Sequence, residues 1–440
     1  MTQLVQNIIL DADSYKPSHF NMYPSGTTAQ YAYGEARKPN KTIIPFGFQM
    51  SIKKHLLNPI TQDNIDEAEE LLAAHGLPFN RSGWEKILNE YGGLLPITIK
   101  CVPEGSITQS RTPLYSIESN DPELYWLPSY IESMWQRSVW YPTTIASNDY
   151  INYSRLKKEY SRSSDNMHNL NYALHDFGAR GVSSQETSEI GGLAHLLYFR
   201  GTDNLVALRA ARKYYNEPMA GHSIRATEHS IQCAYGKHNQ IDYIGNILNS
   251  CKNEEVISIV LDGYDIYRDT EALCIHFKNL ILEKNLHVVI RPDSGDPYDI
   301  IPKLIRVIDY HFGHTSNSKG YNVLNNISLI QGDGIDSDAI EGLSARISTL
   351  GFAAETLVYG SGGGLLQKVN RDTYSFAQKT SAMEINGAWI DTVKDPITDS
   401  GKKSKGGRFD DANLVTYYEN GKLLIDESLD IIRARAITGI

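Results

Sequence analysis

Apolar positions change their period along the chain, and the change divides it. In the first 140 residues short strands and helices mix: TQDNIDEAEELLAAHG has helical spacing, while PITIKCVPEG and TPLYSIES read as strands joined by turns. From about His175 to about Gln367 a different texture holds, in which short apolar runs lead into a polar or glycine-rich loop and then a helical pattern. The clearest units are VISIVL before DGYDIYRDTEALCIHFKNLILEK, LHVVI before RPDSGDPYDIIPKLIRVIDYHF, ISLI before QGDGIDSDAIEGLSARISTL, and TLVY before GSGGGLLQK. Strands that read as continuous apolar runs and alternate with helices imply a parallel sheet covered on both faces. Charged and glycine residues follow strand after strand at the carboxyl end, which favours a barrel; an open sheet would concentrate them at one switch point. From about Ser375 the rhythm is lost again, and LVTYYENGKLLI reads as a hairpin turning at Asn420 and Gly421. The expected architecture is a parallel α/β barrel over residues 151–374, inserted in a discontinuous sheet-rich α+β domain made of residues 1–150 and 375–440.

At 440 residues and 41% hydrophobic composition, the chain has enough apolar surface for two such cores. Its longest apolar runs are strand-sized, far below the roughly 20 residues that cross a bilayer, so no membrane span is expected. The N-terminal MTQLVQNIILDADSYK lacks a basic leader region, and the chain reads as cytoplasmic. Cys101, Cys233, Cys251 and Cys274 show neither a CxxC pair nor zinc-site spacing, so buried, reduced thiols are expected. A formal net charge of -10 opposes attraction to nucleic acid or anionic membrane, so phosphate binding would have to be local. The densest basic run, GKKSKGGR from Gly401 to Arg408, reads as a mobile solvated loop.

Side by side, the strand-end loops offer Arg180, Asp203, Glu228 with His229, Asp262 with Asp265, Arg291 with Asp293, Asp333, and the glycines 362 to 364. Two guanidinium forks converging from different strands can clamp a diphosphate, although each arginine taken singly is more often a surface or salt-bridge residue. The run Gly360–Gly364 can bring backbone N–H groups against a phosphate, or be a flexible turn. Asp333, between Gly332 and Gly334, can accept two vicinal sugar hydroxyls; the alternative is a helix cap. Glu228 beside His229 can orient the imidazole and leave one nitrogen free as base or nucleophile. Together these groups suit a substrate with two phosphate groups and a ribose, and leave the reaction open.

The longer motifs narrow it. HDFGARGVSSQETS (175–188), FRGTD (199–203), EHS (228–230), DGYDIY, IRPDSGDP, IQGDGID and GSGGGLLQK, in that order, resemble the nicotinamide phosphoribosyltransferase family, and the likeness runs from DADSYKPSHF near Asp11 to KDPITDSGKKSKGGR near Arg408. That resemblance implies a type II phosphoribosyltransferase barrel with an added sheet-rich domain, assembled as a homodimer with active sites at the subunit interface. It implies that Arg180 and Arg291 hold the diphosphate of phosphoribosyl pyrophosphate, that Gly332 and Asp333 hold ribose hydroxyls, and that Gly362, Gly363 and Arg371 hold the 5'-phosphate. Phe177 would stack on one face of nicotinamide and Tyr15, from the partner subunit, on the other. Arg37 and Lys379 match positions near the phosphates across the interface. Asp203 would select the carboxamide over a carboxylate, unless it only caps the helix beginning near Asn204.

The resemblance further implies ATP as co-substrate, phosphorylating His229, with Glu228 and Asp262 orienting the imidazole and Arg291 and Asp293 completing the catalytic group. Magnesium would enter bound to diphosphate, with no dedicated protein cage. The sequence departs from animal relatives in being shorter near Lys41, and in GHSIRATEH, where His222 and Arg225 replace other residues. The nearest rival is a nicotinate phosphoribosyltransferase, against which FRGTD argues. A non-catalytic binding or signalling protein on the same fold is a second alternative, opposed by Arg180, His229, Arg291 and Asp333 together. A metal-dependent barrel hydrolase would need clustered ligands, for which only His229 qualifies.

Overall fold

Local capping chemistry sets many of the boundaries. Thr61 accepts from the Asn64 N–H while the Asn64 side chain accepts from the Thr61 N–H, starting the helix Gln62–His75, and Gly76 ends it at φ 85°. Asn420 and Gly421, at φ 46° and 85°, form the two-residue turn between the strands Val415–Glu419 and Lys422–Leu423.

The computed structural model describes residues 6–398, 403–409 and 413–438. These fall into two compact units, one from the described residues of Met1–Ser147, Ala211–Glu217 and Val369–Gly439, the other from Asn148–Ala210 and Pro218–Lys368.

The first unit is built on a seven-stranded antiparallel sheet, ordered Ala388–Asp391, Phe376–Ile385, Thr27–Ala36, Pro113–Ser119, Ile97–Cys101, Val415–Glu419, Lys422–Leu423. Strands from beyond residue 375 thus flank the N-terminal strands on both sides. Phe48, Trp84, Trp126, Tyr130 and Trp135 fill the core beneath the sheet, with Trp84 edge-on to both Trp126 and Tyr130 at 5.0 Å.

The second unit holds seven parallel strands: β1 Leu174–Asp176, β2 Gly201–Thr202, β3 Arg225–Ala226, β4 Val256–Val260, β5 His287–Arg291, β6 Ile327–Gln331 and β7 Leu357–Ser361. Their order is β2-β1-β7-β6-β5-β4-β3, and a parallel bridge from Gly201 in β2 to His222, just before β3, draws the two ends of that order together. Ile257–Val260, Val288–Ile290 and all of β6 are buried, as strands covered on both faces require. Every strand therefore delivers its carboxyl end to the same rim.

Two surface expectations are corrected. Cys101, Cys251 and Cys274 are buried and free, but Cys233 is exposed, because it lies on the outer side of the short helix His229–Ala234. The described part of the basic run is not a solvated loop: Lys403 pairs with Asp395, Lys405 with Glu35, and Arg408 with Glu118 while its guanidinium lies 4.6 Å from the centre of the Trp389 ring. Gly401 and Lys402 lie outside the described residues.

Candidate active site

At the carboxyl rim of the barrel a cleft of about 420 Å³ is lined by Asp176, Phe177, Ala179, Arg180, Asp203, Glu228, His229, Ser230, Arg291, Asp293, Gly332 and Gly362. Three of the loops feeding it share one construction. After β4, β5 and β6 the chain reads DGYD, DSGD and DGID. In each the second aspartate caps the following helix: Asp265 accepts from the N–H groups of Tyr267 and Arg268, Asp296 from Tyr298, and Asp336 from Asp338 and Ala339. The first aspartate, three residues earlier, is released from capping and stays at the strand end. The repeat is visible in the sequence, and it separates Asp262, Asp293 and Asp333 from Asp265 more sharply than a position at a strand end does. It also removes the helix-cap alternative for Asp333.

The same division of labour decides Asp203. The helix Leu205–Tyr215 takes its cap from Asn204, whose side chain accepts from the Ala207 N–H at 3.4 Å. Asp203 is left to line the cleft, and its Oδ1 accepts from the Ser223 hydroxyl at 2.6 Å. A second cavity of about 300 Å³ reaches into the barrel past Val289, Ile330 and Val358 and shares Phe177, Asp203 and Arg291 with the cleft. The Phe177 N–H donates to the Ser361 carbonyl, and its ring lies where a side chain at residue 360 would be, a Cβ on Gly360 coming within 2.1 Å of it. The absence of a side chain at Gly360 therefore leaves room for the Phe177 ring. His175 lies beneath, where burial pushes its pKa down to about 4 and keeps it neutral. Arg291 ends β5 at the junction of the two cavities, and its Nε is buried with no hydrogen-bond partner among the described residues. A buried guanidinium N–H without a partner is costly unless an anion completes it.

On the other side of the cleft, His229 opens the helix His229–Ala234, and its Nε2 lies 2.9 Å from Asp262 Oδ1. Asp262 Oδ2 accepts from the Asp293 N–H at 2.9 Å, so one nearly buried carboxylate ties the imidazole to the β5 loop. Glu228 does not help to orient the imidazole. Its carboxylate accepts from the Ser230 hydroxyl instead. Gln232, absent from the sequence reading, supports the arrangement. It is fully buried, accepts from the Gly263 N–H at 2.9 Å and donates to Gln240. A buried glutamine one turn after the histidine was the available signal.

The remaining candidates are not among the residues lining either cavity. Asp333 is exposed on its loop, its carbonyl accepting from Gln331, and Gly363 begins a helix of only 4 residues, Gly363–Leu366. Tyr15, Arg37, Arg371 and Lys379 belong to the first unit. Tyr15 is 55% exposed. Arg37 lies near Glu35, Arg371 pairs with Asp372, and Lys379 donates to the Gln378 carbonyl while burial lowers its pKa. Among the described residues no three His, Cys, Asp or Glu side chains converge as metal ligands, and no helix is long and apolar enough to cross a membrane.

Comparison with known proteins identifies the family and the fold. The nicotinate phosphoribosyltransferase (NAPRTase) family matches residues 172–422, and the nicotinamide phosphoribosyltransferase N-terminal domain matches residues 7–99. The chain is 42% identical to the nicotinamide phosphoribosyltransferase of Xanthomonas campestris, over 98% of each chain. It is 31% identical to that of Mycoplasma pneumoniae, over 93% of this chain and 97% of the relative. Among solved structures, nicotinate-nucleotide pyrophosphorylase from Pyrococcus furiosus superposes with a TM-score of 0.59 at 13% identity, over 100% of this chain and 97% of that one. Human nicotinic acid phosphoribosyltransferase gives 0.58 at 14% identity, over 96% and 92%. At these identities the structural likeness concerns the fold, and it bears out the type II phosphoribosyltransferase architecture.

Proposed function

The chain belongs to the nicotinate phosphoribosyltransferase family, and we propose that, as a phosphoribosyltransferase of NAD salvage, it transfers the phosphoribosyl group to nicotinamide, giving nicotinamide mononucleotide and diphosphate. The carrying observation is that Phe177, Asp203 and Arg291 meet where the polar cleft opens into the apolar cavity. A flat ring lies against Phe177 with its carboxamide N–H on Asp203, and the ribose and phosphates extend into the cleft between Arg180, Arg291 and the rim loops. The ring nitrogen bonds to C1 of the ribose as the C1–O bond to diphosphate breaks, and the positive charge that develops at C1 is passed to the pyridinium product. No side chain needs to act as nucleophile. The chain contributes orientation of the ring and stabilisation of the departing charge by Arg180 and Arg291.

Gly332 and Asp333 take the ribose hydroxyls, and Gly362, Gly363 and Arg371 the 5'-phosphate. The donors at the cleft suit magnesium carried on diphosphate. Asp293 would offer a hard oxygen ligand, since Asp262 is committed to His229 and the β5 loop, and the metal would contribute charge neutralisation of the leaving group. ATP phosphorylates His229, which Asp262 orients, and Arg37 and Lys379 serve the phosphates. The enzyme is a cytoplasmic homodimer in which Tyr15 of one subunit closes the ring slot of the other.

A product assay tests this reading, offering nicotinamide and nicotinate separately with phosphoribosyl pyrophosphate and magnesium, each with and without ATP. Nicotinamide mononucleotide is expected as the main product, with ATP increasing its yield. Nicotinate mononucleotide as the main product would replace this reading with that of a nicotinate enzyme.

A further inference from the structure

Asp176 ends β1 at the floor of the cleft, yet it is wholly buried and plays no part in the chemistry above. Besides its strand pairing, it reaches by three hydrogen bonds the two loops that carry Phe177 and Asp203. Oδ1 accepts from the Gly178 N–H at 2.7 Å, fixing the turn that directly follows Phe177. Oδ2 accepts from Asn204 Nδ2 at 2.9 Å, and the Asp176 carbonyl accepts from the Asp203 N–H at 3.0 Å. Asn204 is itself pinned: Nδ2 also donates to the Ser188 carbonyl at 2.9 Å, Oδ1 accepts from the Ser188 hydroxyl at 3.2 Å, and its N–H donates to Thr202 Oγ1 at 3.0 Å. The helix Gln185–His195 makes room for the pair, since a Cβ on Gly192 would meet Asn204 Nδ2 at 2.5 Å and Asp176 Oδ2 at 2.8 Å.

A second buried link holds β2 from below. His195 joins Asp149 at 2.7 Å to the Gly201 carbonyl at 3.2 Å. Burial opposes charge on this imidazole, Asp149, Asp176 and the Gly201 carbonyl together raise its pKa, and both ring nitrogens face oxygen acceptors. Burying a carboxylate is costly, and apolar packing of the same volume is often at least as stable. What a carboxylate adds is direction, through acceptors at fixed angles toward two different loops.

We propose that Asp176, through Asn204, is a positioning residue that holds Phe177 and Asp203 at the separation nicotinamide requires. This rests on the reading that those two residues bind nicotinamide. Loss of the Asn204 link loosens ring binding and amide selection more than phosphate binding, because Arg291 ends β5 and Asp262 ties His229 to the β5 loop without it, while Arg180 on the β1 loop keeps the Asp176–Gly178 bond behind it. Misplacement of reacting groups by about 1 Å costs on the order of a hundredfold in rate, so a partial loosening is readily measured.

Asn204→Ala cuts the cross-loop bond and leaves the Asp176–Gly178 bond intact. The expected result is a rise of about tenfold in KM for nicotinamide, with kcat and the KM for phosphoribosyl pyrophosphate each within about threefold, and a fall of several-fold in nicotinamide over nicotinate kcat/KM. A folded Asn204→Ala enzyme with unchanged nicotinamide KM and unchanged selectivity overturns the proposal. The exchange Asp176→Asn with Asn204→Asp is the second arm, because it rebuilds an N–H to carboxylate bond between the two positions with the polarity reversed. It is expected to recover part of the nicotinamide KM lost in Asp176→Asn alone, and no recovery in a folded double variant counts against the link. Phe177→Leu and Asp203→Asn, measured in parallel, separate the two failures. If neither alters nicotinamide KM or selectivity, the ring-pocket reading itself is wrong; if they do and Asn204→Ala does not, only the positioning role is lost.

Discussion

Asp203 and Asn204 are adjacent, polar and similar in size, yet the backbone gives them opposite roles. Because Asn204 caps the helix, Asp203 is left to line the two cavities, with one oxygen held by Ser223. An ionised carboxylate there accepts a carboxamide N–H and repels nicotinate. Asp203→Asn is expected to lower the nicotinamide to nicotinate ratio of kcat/KM by at least roughly tenfold, with Tm little changed; an unchanged ratio would assign Asp203 to structure. Sequence alone left that aspartate between pocket and cap, because capping is decided by which residue takes extended backbone at the helix start, and both types cap well. Glu104 shows a different residue-scale effect, in the first unit. It is fully buried, accepts from the Gln49 N–H and the Tyr215 hydroxyl through Oε1, and leaves Oε2 without a partner among the described residues. Burial pushes its carboxyl up to about 7. The folded state therefore holds the proton more tightly than the unfolded chain, and this group's contribution is greatest in acid and is lost as pH rises from the ordinary glutamate range to about 7. Glu104→Gln should remove that loss, worth about 3 kcal/mol at most. Its Tm relative to the parent should climb over that interval and level off above it; a constant difference across pH would show that Glu104 does not titrate there.

At the scale of elements, the sequence reading recovered the four long βα units because each pairs a continuous apolar run with a helix of 13 to 18 residues, or with the glycine run that follows β7. It could not delimit β2 and β3, which have two residues each and hence no measurable period. Nor could period alone show that Phe376–Ile385 pairs with Thr27–Ala36, since antiparallel register across some 350 residues depends on tertiary packing. The short helix His229–Ala234 falls between these cases. Its EHS motif is legible, and of the two carboxylates that the resemblance pairs with the imidazole, Asp262 at the end of β4 lies within hydrogen-bond distance of it while Glu228 accepts from Ser230. If His229 accepts phosphate, His229→Ala should abolish ATP hydrolysis and the ATP stimulation of synthesis while slow ATP-independent transfer persists. Asp262→Asn should reduce the stimulation by about tenfold or more, since it weakens orientation of the imidazole and its electrostatic support. Glu228→Gln should change it by less than about threefold, because Glu228 bonds to Ser230 instead. Equal losses in the two carboxylate variants would reverse that assignment.

For the whole molecule, the decisive question is whether one chain is sufficient for a site. Phe177 in the second unit provides one aromatic face, and the other aromatic proposed for the sandwich, Tyr15, is on the first unit and 55% exposed. A large aromatic left open to solvent loses the apolar burial that normally fixes its place, and an interface between two chains restores it. If Tyr15 closes the slot of the partner subunit, each active site draws Phe177 from one chain and Tyr15 from the other. Tyr15→Ala and Phe177→Ala homodimers should then both be strongly impaired. When they are mixed and allowed to exchange, one site of each mixed dimer lacks both aromatics and the other has both intact. Random pairing of equal amounts makes half of the dimers mixed, so about a quarter of the wild-type sites, and roughly a quarter of wild-type activity, should return. Sites contained in one chain would give no such recovery, since no chain in the mixture carries both rings. Native mass spectrometry confirming exchange turns an absence of recovery into a refutation, and a return of activity near one quarter would place Tyr15 and Phe177 in the same site from different subunits.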